Sequence, residues 1–196
     1  MSENRPLTRE EGDILLKVAR ETIKQRLFPD SVNSFSEEEL DREVFREKRG
    51  VFVTLNKRGS LRGCIGHIIP YLPLIDGVRE NAINAAFNDP RFPPLSQREF
   101  NDIVIEVSIL TRPRKVEFED FKELLSKLIP FKHGVILKKG INQATFLPQV
   151  WEQLPKKEDF LTHLCLKAGL LPNAWMDKDI EVMTYEVQAF EEKNDK

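Results

Sequence analysis

Apolar residues at Leu15, Val18, Ala19, Ile23 and Leu27 recur every three or four positions, which lays one apolar stripe along a helix. Thr8-Arg9-Glu10-Glu11 precedes that stripe with capping-box spacing, a hydroxyl followed three residues later by a carboxylate. The pattern predicts a helix over 9–27, ending before Pro29. Ser36 to Glu39 repeats the capping signal and opens a shorter helix. Gly50 to Leu55 is apolar and β-branched, Asn56 to Ser60 is a polar turn, and Leu61 to His67 reads as the returning arm of a hairpin. Pro73 suits the first turn of the next helix, whose stripe is Leu74, Val78, Ala82, Ala85 and Ala86. Asp89-Pro90-Arg91-Phe92-Pro93-Pro94 stops it with a stiff loop that holds Arg91 and Phe92 in a fixed relation. Asp102 to Thr111 is the clearest strand, with Ile103, Ile105, Val107 and Ile109 on one face. Downstream, the pattern predicts a helix over 118–128, a hairpin of 134–138 with 143–147, and a helix over 158–168 capped by Gly169. A last strand covers 180–190. Hairpins mixed with helices, without regular alternation, define an α+β fold with mainly antiparallel sheets flanked by helices.

Composition narrows the function classes. The chain has 196 residues, 40% apolar and 32% charged, enough for a core without disulfides or a structural metal. A net charge of -2 supplies no global pull toward nucleic acid or a membrane surface. No apolar run reaches the roughly 18 residues of a spanning helix, and Met1 to Pro6 lacks the apolar stretch of a signal peptide. Two cysteines, Cys64 and Cys165, read as reduced thiols in a cytoplasmic protein. No iron-sulfur spacing, P-loop, dinucleotide fingerprint, HExxH or GxSxG occurs. No metal site or cofactor is expected. Cys64 and His67 fall on opposite strand faces, and His163 and Cys165 diverge around a helix. Only a long-range set joining Cys64 to His133 or His163 stays open.

The candidate chemistry centres on Leu61-Arg62-Gly63-Cys64-Ile65-Gly66-His67. Cys64 has two readings. In one it is a small buried residue where structural elements meet. In the other it is a thiolate nucleophile or proton donor, stabilised by Arg62, two positions away on the same strand face, and by N–H groups beside Gly63 and Gly66. His67 lies on the other face. His133 is the better candidate base because it precedes a glycine within one of the blocks, given below, that carry a family resemblance; the other reading is a satisfied core histidine. Arg62 and Arg91 suit bidentate recognition of phosphate or carboxylate. From Arg46 to Arg62, six basic side chains stand against Glu47 alone. That stretch is either a solvated hairpin surface or a patch for RNA or a small anion. Phe52 reads as core, and Trp151 and Trp175 as core residues or partner anchors.

Five blocks in order carry a resemblance. They are Leu61 to Gly66, Gly50 to Leu55, Asp89 to Pro94, His133-Gly134, and Ala144 to Trp151. On these the chain resembles the AMMECR family over nearly its whole length. The resemblance implies one domain over 1–196. Its larger lobe is built from both chain ends and its smaller lobe is inserted, with the Cys64 motif shielded near their junction. It also implies company with radical SAM and Memo-type proteins in a modification pathway, with an RNA base as one conceivable target.

Two function classes follow. The first is a pathway component whose cleft binds an anionic, RNA-derived or small-molecule ligand through Arg62, Gly63, Gly66 and Arg91, with Cys64 and His133 in the chemistry. The second is a non-catalytic adaptor in which the motif is structural.

Overall fold

The structure is a computed structural model that describes residues 5–32 and 35–193, so most of the segment read for a leader lies outside it. The chain forms two compact units. One comprises Met1–Leu110 with Gln188–Lys196, the other Thr111–Val187.

The first unit opens with helix α1 (Arg9–Leu27), which starts where the capping box predicts. Glu11 N–H donates to Thr8 Oγ1 at 3.2 Å, and Thr8 N–H donates to Glu11 Oε2 at 2.8 Å. Arg5 holds the Glu11 carboxyl down at a pKa of about 2. Short helices α2 (Glu37–Leu40) and α3 (Glu43–Arg46) lead into strands β1 (Gly50–Lys57) and β2 (Ser60–His67). The turn between them is two residues long, tighter than the five predicted. Arg58 at φ 51° and Gly59 at φ 76° give it the left-handed backbone that matches strand twist.

Helix α4 (Leu74–Ile83) begins one residue after Pro73, which is its N-cap and not part of its first turn. Its stripe continues through a π-helical turn at Asn84–Asn88, which periodicity alone did not predict. Strand β3 (Ile103–Leu110) follows. The sheet order is β2-β1-β3-β8, where β8 is Val187–Glu191, so β2 is an edge strand. Val51, Val53 and Leu55 of β1 and Ile105 and Val107 of β3 are fully buried in one core with Leu15, Val18 and Val78 of α1 and α4.

The second unit contains β4 (Arg114–Lys115), α5 (Phe121–Lys127), β5 (Gly134–Lys139), β6 (Asn142–Phe146), α6 (Lys157–Lys167) and β7 (Glu181–Tyr185), with sheet order β4-β7-β5-β6. Helix α5 starts later than predicted because Asp120 is its N-cap, accepting from Glu123 N–H at 2.8 Å. Helix α6 ends as Gly169 predicts, at φ 73°, with Leu170 N–H reaching back to Cys165 O at 2.9 Å. Trp151 stacks on Phe160 at 3.6 Å between ring centroids. Both tryptophans lie in this unit's core, so neither is a surface anchor.

The strand predicted over 180–190 is two strands, β7 and β8, in different sheets. Glu186 separates them and exchanges hydrogen bonds with Thr111, N–H to Oγ1 and O from N–H, both at 2.9 Å. Strand-forming residues continue on both sides of Glu186, and such residues cannot mark where a chain changes partners.

Candidate functional site

Strand β2 pairs with β1 on one side only. The register runs Val51↔His67, Val53↔Ile65 and Leu55↔Gly63 on the face toward the core. Phe52↔Gly66 and Thr54↔Cys64 lie on the opposite face. Leu55↔Gly63 is followed by Asn56↔Leu61, so Arg62 is the extra residue of a bulge. The strict alternation that would set Arg62 beside Cys64 stops there. The Arg62 side chain runs instead to Glu99, Nε to Oε1 at 3.0 Å and Nη2 to Oε2 at 3.2 Å. Nη2 also donates to Pro93 O at 2.9 Å. Arg62 is only 8% exposed, and its Nη1 is buried with no acceptor among the described residues.

The Cys64 thiol is half-buried on the face away from the core and accepts from Thr54 Oγ1 at 3.2 Å. Its backbone is gripped by side chains. The Cys64 N–H donates to Asp89 Oδ2 at 2.9 Å, and Arg91 Nη2 donates to Cys64 O at 3.0 Å. Asp89 also accepts from Arg91 Nε at 2.9 Å, Arg91 Nη2 at 2.7 Å and Arg91 N–H at 3.1 Å. An edge strand leaves outward N–H and C=O groups without a strand partner, and Asp89 with Arg91 supplies both missing bonds at Cys64. Asp89 is 4% exposed, and the Arg91 guanidinium first, with the Cys64 and Arg91 N–H groups, holds its carboxyl far below the usual range. Sequence reasoning picked out Arg91 and missed Asp89. The available signal was an acid two residues before Arg91, at the head of a proline-stiffened loop.

The glycines, read from sequence as ligand-binding positions, have steric duties inside this unit. A Cβ on Gly63 would lie 2.1 Å from the Ala85 carbonyl oxygen of the π-helical turn, and one on Gly66 would lie 2.2 Å from the Phe52 ring. Phe52 is consequently a half-buried cover over Gly66, outside the core assigned to it from sequence. The Arg62 and Arg91 guanidiniums lie 5.9 and 5.6 Å from the centroid of the Phe92 ring.

His67 is on the core-side face, as alternation predicts. Its Nδ1 is 3.1 Å from Asn81 Nδ2, and burial pushes its pKa down. His133 belongs to the second unit, just before β5. There its Nδ1 accepts from Ile129 N–H at 3.2 Å, and its carbonyl accepts from Trp151 Nε1 at 2.7 Å. Burial lowers its pKa as well. Among the described residues, no group of three or more His, Cys, Asp or Glu side chains is placed to hold a metal ion. The basic stretch is partly offset by its own Glu47 and by three acids from outside it. Arg46 pairs with Asp41, Arg49 with Glu47, Lys57 and Arg62 with Glu99, and Arg58 with Asp102.

Two four-stranded sheets with flanking helices, and a clamped half-buried thiol on an edge strand, define an α+β protein built around a single cysteine-bearing hairpin. The chain belongs to the AMMECR1 family, which it matches over residues 16–190. It is 47% identical over 189 residues to protein Mbar_A1807 of Methanosarcina barkeri, covering 95% of this chain and 93% of that one. It is 42% identical over 195 residues to protein MJ0810 of Methanocaldococcus jannaschii, covering 96% and 93%. The crystal structure of uncharacterized protein PH0010 from Pyrococcus horikoshii is similar, with a TM-score of 0.81 at 36% identity, covering 95% of this chain and 94% of that one. No helix among the described residues is long and apolar enough to cross a membrane.

Proposed function

We propose that the protein holds an anionic ligand beside Cys64, as a component of a modification pathway that includes radical SAM and Memo-type proteins. The observation that carries the binding reading is Arg62. Its side chain is nine-tenths buried, yet Nη1 has no acceptor among the described residues. A buried donor left unsatisfied costs about 1–3 kcal/mol, so an oxygen that reached it would bind favourably. Arg91, with 53% of its side chain exposed, lies against the same Phe92 ring and offers a second guanidinium. Carboxylate and phosphate are the acceptors that suit this pair. The partial offset of the neighbouring basic stretch favours a small anion, or one nucleotide's phosphate, over a long RNA strand. The company of radical SAM and Memo-type proteins rests on the family resemblance alone.

The test is native mass spectrometry of protein purified from its own extract, with small molecules and nucleotides identified, for wild type, Arg91→Gln and Cys64→Ser. An anion on the wild type that is lost from Arg91→Gln is the expected result. A wild type carrying no anion, whose melting temperature is also unmoved by inorganic phosphate and simple carboxylates, would refute the proposal.

The adaptor reading keeps one observation in its favour. Gly63 and Gly66 are required by packing, and most donors of Arg62 and Arg91 are satisfied internally, so the motif can stand as a purely structural block. That reading fails if a stably folded Cys64→Ala variant keeps its partner and loses function.

A further inference from the structure

We infer that the Asp89–Arg91 pair sets the reactivity of the Cys64 thiol, Arg91 bringing positive charge to it and Asp89 cancelling that charge. The inference rests on Cys64 being the working thiol of the proposed site. Both side chains reach the same residue from one loop: Asp89 bonds the Cys64 N–H at 2.9 Å and Arg91 bonds the Cys64 carbonyl at 3.0 Å. They also bond each other, so the pair carries no net charge where it meets β2. Neither charge can leave easily. Asp89 is buried, and the prolines on either side of Arg91 stiffen the loop that holds it. Charge next to a thiol decides how much of it is thiolate, and the thiolate is the nucleophile.

The remaining groups around Cys64 do not duplicate this control. Thr54 on β1 is neutral and donates to the sulfur. Glu106 on β3 lies across Thr54 in the register and accepts from Ser108 Oγ at 2.8 Å. Arg62 on β2 turns its guanidinium to Glu99, which it shares with Lys57. His67 points to the other face. Asp89 and Arg91 are thus positioning residues with opposite signs, and opposite signs distinguish an electrostatic role from a merely structural one.

The experiment is the rate at which iodoacetamide alkylates Cys64 in the folded protein, from about pH 5 to about pH 10, read on the Cys64 peptide by mass spectrometry. The thiol loses its proton to solvent, the S–C bond forms and iodide leaves. Asp89→Asn keeps an oxygen for the Cys64 N–H but leaves Arg91 uncompensated. Its profile should move to lower pH, with the neutral-pH rate up about fivefold. Arg91→Gln should move the profile to higher pH, with the rate down about fivefold. The double variant restores neutrality and should return to within about twofold of wild type. Single variants that shift in the same direction, or a double variant that does not return, would overturn the inference and leave Cys64 as the site. A wild-type Cys64 that does not label at all would overturn the inference and remove the thiol from the proposed site. Should Asp89→Asn fail to fold, Arg91→Gln decides alone, because its side chain is half-exposed; unchanged or faster labelling there overturns the inference.

Discussion

The two cysteines of this protein are the same functional group in opposite settings. Cys165 sits on α6, fully buried among Phe160, Leu161, Leu164 and Trp175 in the second unit. Burial pushes its thiol pKa up, which keeps it protonated and inert. Cys64 sits on an edge strand of the first unit, half-buried, with a hydroxyl on its sulfur and an ion pair on its backbone. A packing thiol needs only apolar neighbours. Five hydrogen bonds tie Asp89 and Arg91 to each other and to the Cys64 backbone, a polar setting that Cys165 lacks among the described residues.

The comparison extends to pH, where the largest effect is expected. In the first unit, Glu11, Asp89 and Glu99 all have depressed pKa values, each chiefly through a guanidinium, and Glu11 falls to about 2. A depressed folded pKa contributes stability that is complete above the ordinary carboxylate value, near about 4, and is lost as pH falls through the folded value. In the second unit, burial pushes Tyr185 up to about 12 and raises Cys165. A raised folded pKa contributes stability that is complete below the ordinary value, about 10 for tyrosine, and is lost as pH rises through the folded value. Below about pH 4, acid should therefore weaken the first unit more than the second, by on the order of 3 kcal/mol, and alkali should weaken the second more than the first. Both tryptophans report on the second unit, and hydrogen exchange pulsed at a common pH after each incubation reports on α1 and β1. If the two probes follow identical curves at both extremes, the contrast is refuted.

Next in size is Gly63→Ala. The added methyl meets a backbone carbonyl, and backbone cannot swing aside as a side chain can. A loss of about 3 kcal/mol is expected in chemical denaturation. Gly169→Ala, after the helix that carries Cys165, meets nothing within 4 Å and has only a φ of 73° to accommodate, so about 1 kcal/mol is expected there. Equal losses would mean that the hairpin yields more readily than its contacts suggest.

Serine in place of each cysteine tests the contrast at its centre. Cys165→Ser puts a hydroxyl into an apolar core and should cost about 1.5 kcal/mol. Cys64→Ser exchanges a half-buried thiol for a hydroxyl that Thr54 can still reach, and should change stability by less than about 0.5 kcal/mol. A larger loss at Cys64 would return that residue to the structural class.

Much of the fold was legible in the chain. The capping box at Thr8 set the start of α1, an apolar β-branched run placed β1, the polar turn after it placed β2 as the returning arm, and alternation placed β3. Local signals worked where the deciding interactions are local. The break at Glu186, the π-helical turn and the Arg62 bulge were not legible, because each depends on which distant element the chain meets. The candidate site follows the same rule. Cys64, Arg62 and Arg91 could be named from residue type and spacing. That Asp89 grips Cys64, and that Gly63 is fixed by Ala85, depends on contacts more than twenty residues apart in sequence.

The smallest effect isolates the hydroxyl that only Cys64 receives. Thr54→Val keeps the β-branched shape and the strand register opposite Cys64 and removes the donor at 3.2 Å from the sulfur. Thr54 is half-buried, so its loss should alter stability by no more than about 0.5 kcal/mol. A donor to sulfur favours the thiolate over the thiol, and its removal should slow Cys64 alkylation about threefold at neutral pH. Cys165, with no role for Thr54, should label at an unchanged rate in the unfolded protein and stay protected in the folded one. Faster labelling of Cys64 would mean that the hydroxyl had been covering the sulfur rather than activating it. The polar setting of Cys64 would then come down to the Asp89–Arg91 pair alone.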